Sequence, residues 1–118
     1  MEERRRLPRK YLIIYSRVFE PSLGKLLGYL SDLSEQGAMI IADEPLEVND
    51  VLTLRLDLPD PKIFHSHNLM VTARVARCET DISPAFYDIG LEFSNVTPEQ
   101  KIIIQKMMDV YEFRRIHE

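Results

Sequence analysis

"DVLTLRLDLPD", residues 50–60, alternates Leu52, Leu54, Leu56 and Leu58 with Thr53, Arg55 and Asp57. A period of two puts the leucines on one face of a strand and the polar side chains on the other. Pro59 and Pro61 end the run, because proline has no N–H to give to a ladder. A strand this regular needs paired neighbours on both sides and a core beneath its leucines, so the flanking sequence should contain more strands.

It does. "NLMVTARVARCE" (68–79) sets Leu69, Val71, Ala73 and Val75 against Met70, Thr72, Arg74 and Ala76, and "YDIGLEFSNV" (87–96) puts Tyr87, Ile89, Leu91 and Phe93 on one side with Gly90 inside the strand. Upstream, "YLIIYSRVFE" (11–20) is rich in β-formers, and "EPSLGK" (20–25) supplies turn residues. "LLGYLSDLS" (26–34) places Leu26, Gly28 and Leu30 on one face, where Gly28 suggests a bulge or a close backbone approach, and "AMIIAD" (38–43) is short and apolar. The period then changes. "TPEQ" fits a capping box, with Thr97 as N-cap, Pro98 in the first turn and Gln100 reaching back. Ile103, Ile104, Met107, Met108 and Tyr111 continue as a helical stripe, and Arg114 and Arg115 suit the C-terminal dipole. Six short strands with short connections and one terminal helix, about 97–115, predict a mainly β fold, an antiparallel barrel or sandwich.

Composition bounds the rest. The 118 residues, 45% hydrophobic and 29% charged, suit one globular domain. A single cysteine, Cys78, excludes an intrachain disulfide framework and fits a reducing compartment. No long apolar run suggests a membrane span, and no apolar stretch after the basic N-terminus suggests a secretory signal, so the cytoplasm is the expected location. The net charge of −4 is uneven: residues 1–10 carry +3, leaving −7 on the remainder. A basic arm on an acidic body disfavours a broad nucleic-acid surface and permits a local anion clamp.

Two stretches carry candidate chemistry. "RRRLPRK" holds Arg4, Arg5, Arg6, Arg9 and Lys10, and "DLSEQG" holds Asp32, Ser34 and Gly37. Alone, the first reads as a solvated basic tail or a weak tether to anionic lipid or RNA. Alone, the second reads as turn chemistry. Arg5 and Arg9 at a spacing of four, then Asp32, Ser34 and Gly37 in an Asp-x-Ser-x-x-Gly pattern, on a chain of strands ending in a helix, form a more specific set. In that order the chain resembles the PilZ domain, a small bacterial β-barrel with a C-terminal helix that binds cyclic di-GMP. "DIGLEF" also resembles that family's closing strand, and the likeness runs from about Arg4 to Arg114.

The resemblance implies a six-stranded antiparallel barrel over residues 11–118, preceded by a flexible arm, residues 1–10, that wraps ligand against the barrel wall. Cyclic di-GMP presents two phosphates and two guanines. Guanidinium groups from Arg5 and Arg9 suit phosphate and the O6/N7 edge of guanine, and the carboxylate of Asp32 suits the N1–H and N2–H₂ donors. Ser34 offers a donor or a turn tie, and Gly37 a bare backbone. Arg4, directly before the motif, is associated in the family with a stacked ligand pair, which favours two ligands per chain.

The remaining candidates are weak. His65 and His67 lack a third metal ligand, Cys78 lacks an activating base, and no catalytic set is present, so neither a metal site nor enzyme activity is expected. The expected function is a cytoplasmic cyclic di-GMP receptor with no other cofactor, signalling through a protein partner or through a homodimer. The alternative is a PilZ-like interaction module in pilus assembly or motility that binds no nucleotide, to which Pro8 inside the arginine motif lends some weight. Nonspecific nucleic-acid binding by the arm is a third, predicting steep salt dependence.

Overall fold

The computed structural model describes residues 17–58 and 67–116, with side chains up to residue 109. Strands β1 (Arg17–Glu20), β2 (Lys25–Leu33), β3 (Gly37–Ala42), β4 (Val51–Asp57), β5 (Asn68–Thr80) and β6 (Tyr87–Ser94) precede helix α1 (Pro98–Ile116). They close into a barrel in the order β1–β2–β3–β6–β5–β4, every neighbour antiparallel. This is the six-stranded barrel with a C-terminal helix that the resemblance implies, one of the two β architectures that the residue pattern allows. Most of the strand predicted over 11–20 lies outside the described residues, β1 being its described end. The arm of residues 1–10 and His65 lie outside them too.

The leucine alternation works as read. Leu54, Leu56 and Leu58 are buried and Leu52 is half-buried, with Leu54 facing Val71 and Leu56 facing Leu69 on β5. Burying each such side chain contributes about 1.5–3 kcal/mol. Ile104 and Met107 of α1 enter the same core, with Ile103 and Met108 packed beside them. The capping box forms in both directions: Thr97 Oγ1 accepts from the Gln100 N–H at 3.1 Å, and Gln100 Oε1 accepts from the Thr97 N–H at 3.0 Å. Gln100 Nε2 also donates to the Met70 carbonyl at 2.7 Å, which ties the helix start to β5.

At the β1–β4 seam, Arg55 lies over the Phe19 ring at 4.3 Å, and Asp57 sits 3.4 Å from Arg55 Nε and 3.2 Å from Arg17. The β1–β2 hairpin turns on Gly24, whose φ of 63° is left-handed backbone that favours glycine. Cys78 is a free, partly buried strand residue packed against the core.

Among the described residues the in–out alternation slips at three β-bulges. Where two residues oppose one, the face assignment moves by one position. On β2, Leu27 is extra between Leu26, opposite Phe19, and Gly28, opposite Val18. Leu27 packs against the core and Leu26 is left exposed, which corrects the expectation that Leu26 shares one face with Gly28 and Leu30. The second extra residue is Ser31, between Leu30, opposite Ile40, and Asp32, opposite Met39. The third is Ala76 on β5, between Val75, opposite Leu91, and Arg77, opposite Gly90. The last two shape the site.

Candidate functional site

Counted straight along β2, Asp32 falls in phase with the buried Leu30. Counted along β5, Arg77 falls in phase with the buried Val75. The bulges at Ser31 and Ala76 reverse both assignments, so Asp32 and Arg77 are exposed, while Leu33 is buried and Cys78 turns toward the core. The ladder then lines up one transverse row across four strands: Asp32 on β2, Met39 on β3, Gly90 on β6 and Arg77 on β5. At about 4.8 Å per strand the row is roughly 14 Å long. It lies in a cleft of about 490 Å³ on the outer wall of the barrel.

One end of the cleft is the "DLSEQG" hairpin. The Ser34 N–H donates to the Gly37 carbonyl at 2.8 Å. Ser34 Oγ accepts from the Gln36 and Gly37 N–H groups, each at 3.2 Å. One hydroxyl therefore holds two backbone donors of a tight turn, which is why serine suits this position. Asp32 Oδ1 accepts from the Leu33 N–H at 2.9 Å.

Gly37 is fixed by packing rather than by unusual φ. A Cβ there would stand 2.0 Å from the Leu91 carbonyl oxygen, so β3 and β6 can approach this closely only over a glycine. The predicted role of Gly37, to let backbone approach a ligand, is thus joined by a demand of the barrel itself.

The charge pattern of the wall is mixed. Arg77 is the one basic side chain lining the cleft among the described residues, loosely paired with Glu79 at 3.9 Å. Glu92, next to Gly37 in the ladder, is held by Arg74 at 2.9 Å, and Arg74 also donates to Asn49 Oδ1 at 2.8 Å. In the adjoining outer row, Asp88 faces Glu79. Burial raises the Asp88 carboxyl above its ordinary value, a hydrogen bond with Asp81 and the charges of Asp81 and Glu79 add to this, and Arg77 opposes it. The wall alone offers little net positive charge to a dianion.

Of the predicted site residues, Asp32, Ser34 and Gly37 come together at the cleft, while Arg4, Arg5 and Arg9 lie outside the described residues. Sequence reasoning missed Met39, Arg77 and Glu92 as cleft residues and gave Gly90 no role. The available signals were the phase breaks: a charged residue follows Leu30 and Val75 where the alternation calls for an apolar one. Among the described residues no cluster of histidine, cysteine and carboxylates could hold a metal ion, and no helix is long and apolar enough to cross a membrane.

No curated protein sequence matches the chain. Among solved structures it resembles the PilZ domain with c-di-GMP of YcgR from Escherichia coli, at 15% identity and a TM-score of 0.61, covering 84% of this chain and 82% of that one. It also resembles the Bacillus subtilis Inhibitor of motility (MotI/DgrA), at 16% identity and a TM-score of 0.64 over 85% of this chain, and K. pneumonia MrkH in its apo state, at 18% and 0.61 over 83%. The chain spans 46% of each of those two longer proteins. At such identities the likeness speaks for the fold. A family model supplies the rest, matching residues 3–109 and so taking in both motifs, the barrel and the described part of the helix core. The chain belongs to the PilZ domain family.

Proposed function

We propose that this chain is a cyclic di-GMP receptor that holds the dinucleotide between the arginine motif (Arg5, Arg9, with Arg4) and the outer-wall cleft. The observation that carries this reading is the meeting of Asp32, Ser34 and Gly37 at one cleft in a chain whose other motif supplies the cations the wall lacks. Strand polarity agrees. β1 runs antiparallel to β2 with Arg17 opposite Tyr29, so the N-terminal end of β1 points along β2 toward the "DLSEQG" hairpin. The eight steps along the chain from Arg9 to Arg17 span at most roughly 29 Å, enough to reach it.

The energies suffice only if the arm closes. Charge-assisted hydrogen bonds contribute about 1.5–3 kcal/mol each, against about 2–5 kcal/mol for ordering a segment. Two arginines, Asp32 and base stacking leave enough for roughly micromolar affinity, about 8 kcal/mol. Exposed ion pairs at about 0–1 kcal/mol each do not. Arg4 favours two stacked ligands per chain. The bound arm presents a new surface to a partner protein in the cytoplasm, so the chain acts as a receptor rather than an enzyme.

A second reading, a nucleotide-free interaction module in motility or pilus assembly, is favoured by one observation. Ser34 and Gly37 are both occupied by the hairpin and barrel packing, so that their presence does not by itself require a ligand. Calorimetric titration with cyclic di-GMP separates the two. The receptor predicts saturable heat that Arg5→Ala and Arg9→Ala each abolish while the far-UV spectrum stays unchanged. A flat titration of the wild-type chain, or full affinity in both variants, refutes it.

A further inference from the structure

Gly90 has no structural reason to be glycine. Gly24 needs its left-handed φ, while a Cβ at Gly28 would lie 2.4 Å from the Ile41 carbonyl and one at Gly37 would lie 2.0 Å from that of Leu91. At Gly90 the backbone is not left-handed, and the nearest atom to a Cβ is Arg77 Cβ at 3.6 Å, an ordinary contact. Glycine weakens a strand interior, yet this one sits mid-strand in β6, in the cleft. A bare backbone that the fold does not require marks a place where something else comes close.

Arg77 adds an independent observation. The Ala76 bulge turns it to the outer wall directly opposite Gly90, and its Nε lies 3.9 Å from where a Gly90 Cβ would stand. Its one ion pair among the described residues is the loose contact with Glu79 at 3.9 Å, outside hydrogen-bond range. A guanidinium lying beside a bare shelf, with Asp32 at the other end of the row, spans about the width of a purine once both side chains reach inward.

We propose that Gly90 and Arg77 form the far half of the ligand site: a guanine lies over Met39 and Gly90 with its O6/N7 edge toward Arg77 and its N1–H/N2–H₂ edge toward Asp32. The assignment rests on the cyclic di-GMP reading above and deepens it to base selectivity. Adenine presents an amino donor where O6 stands and an acceptor at N1, so both ends of the row mismatch it. A valine at position 90 fills the shelf.

The test is calorimetry of the full chain with cyclic di-GMP and with cyclic di-AMP. Arg77→Ala should weaken cyclic di-GMP binding about tenfold or more and narrow its preference over cyclic di-AMP, the scale of a lost charge-assisted hydrogen bond. Arg77→Lys, lacking the planar fork, should recover only part of it. Gly90→Val should lose binding with a thermal midpoint at or above that of the wild type, and Gly90→Ala should lose part of it with the fold intact. Wild-type affinity in Arg77→Ala and in both Gly90 variants overturns this inference and leaves the receptor standing. Loss of binding in the Gly90 variants accompanied by a lowered midpoint overturns the role of Gly90. A wild-type chain that binds no cyclic di-GMP removes the receptor and this inference together.

Discussion

Gly37→Ala should damage the barrel before any ligand is considered. The new Cβ would begin 2.0 Å from the Leu91 oxygen, 3.1 Å from its carbonyl carbon and 3.2 Å from Glu92 Cα. All three are backbone atoms, so no rotamer change relieves the clash, and β3 must part from β6 by about 1 Å to restore ordinary contact. That movement falls at the Gly37–Glu92 pair, beside Ala38–Leu91, whose side chains face the core, and it pulls on the 2.7 Å bond from the Phe93 N–H to the Gln36 carbonyl. Overpacking of this kind costs about 1–3 kcal/mol, and a stretched ladder bond adds about 0.5–1.5 kcal/mol. Removing a glycine returns about 0.5–1 kcal/mol, leaving a net loss of about 0.5–4 kcal/mol. At roughly 4 °C per kcal/mol the thermal midpoint should fall by about 2–16 °C. Gly90→Ala is the matched control: with 3.6 Å of clearance it should leave the midpoint level or raise it. Thermal and guanidinium unfolding followed by far-UV circular dichroism measures both. A Gly37→Ala chain as stable as the wild type would refute the packing argument.

Ser34→Ala removes the acceptor for two N–H groups, of which that of Gly37 is the less exposed, so it should cost about 1–2 kcal/mol in chemical denaturation. No loss would mean that the hairpin holds itself without the hydroxyl. Gln100→Ala removes both the return half of the capping box and the tie to the Met70 carbonyl, a loss of about 1–2 kcal/mol. Gln100→Glu keeps the cap acceptor, lacks the donor and should recover about half, with amide exchange at Thr97 reporting the cap. Asp88 holds its proton more tightly folded than unfolded, so its share of stability is present below the ordinary value of 3.8 and is lost as pH rises through the raised value. Asp88→Asn should therefore be more stable than the wild type at neutral pH, with the gap closing below that ordinary value. A gap independent of pH, read from denaturation midpoints, would contradict the assignment.

Much of the fold is visible in side-chain period alone. Leu52 to Leu58 and Leu69 to Val75 announce two strands and their buried faces, and "TPEQ" announces the helix start. What period cannot show is where it slips. A bulge is a backbone event, set by how two strands bend around a closing barrel, and Ser31 or Ala76 carries no residue type that demands one. The same slip hides half of the cleft. Asp32, Ser34 and Gly37 stand out because carboxylate, hydroxyl and glycine fall at short fixed spacing. Arg77 and Met39 become neighbours only through the register of β5, β6 and β3, which a single strand does not encode. Gly37 shows a further limit: its need for a bare backbone is legible, but the atom that imposes it, the Leu91 carbonyl, is 54 positions away along the chain.

The bulges also govern how chain length could vary. Removing Ser31 would join Leu30, facing in, to Asp32, facing out, and removing Ala76 would do the same for Val75 and Arg77. Each one-residue deletion would straighten its strand without driving a core side chain into water. Deletion at a regular ladder position such as Leu54 would instead reverse every side chain on one side of the gap. One-residue gaps between homologous barrels should thus gather at positions such as these, with the wall chemistry retained while the local bend of the barrel changes.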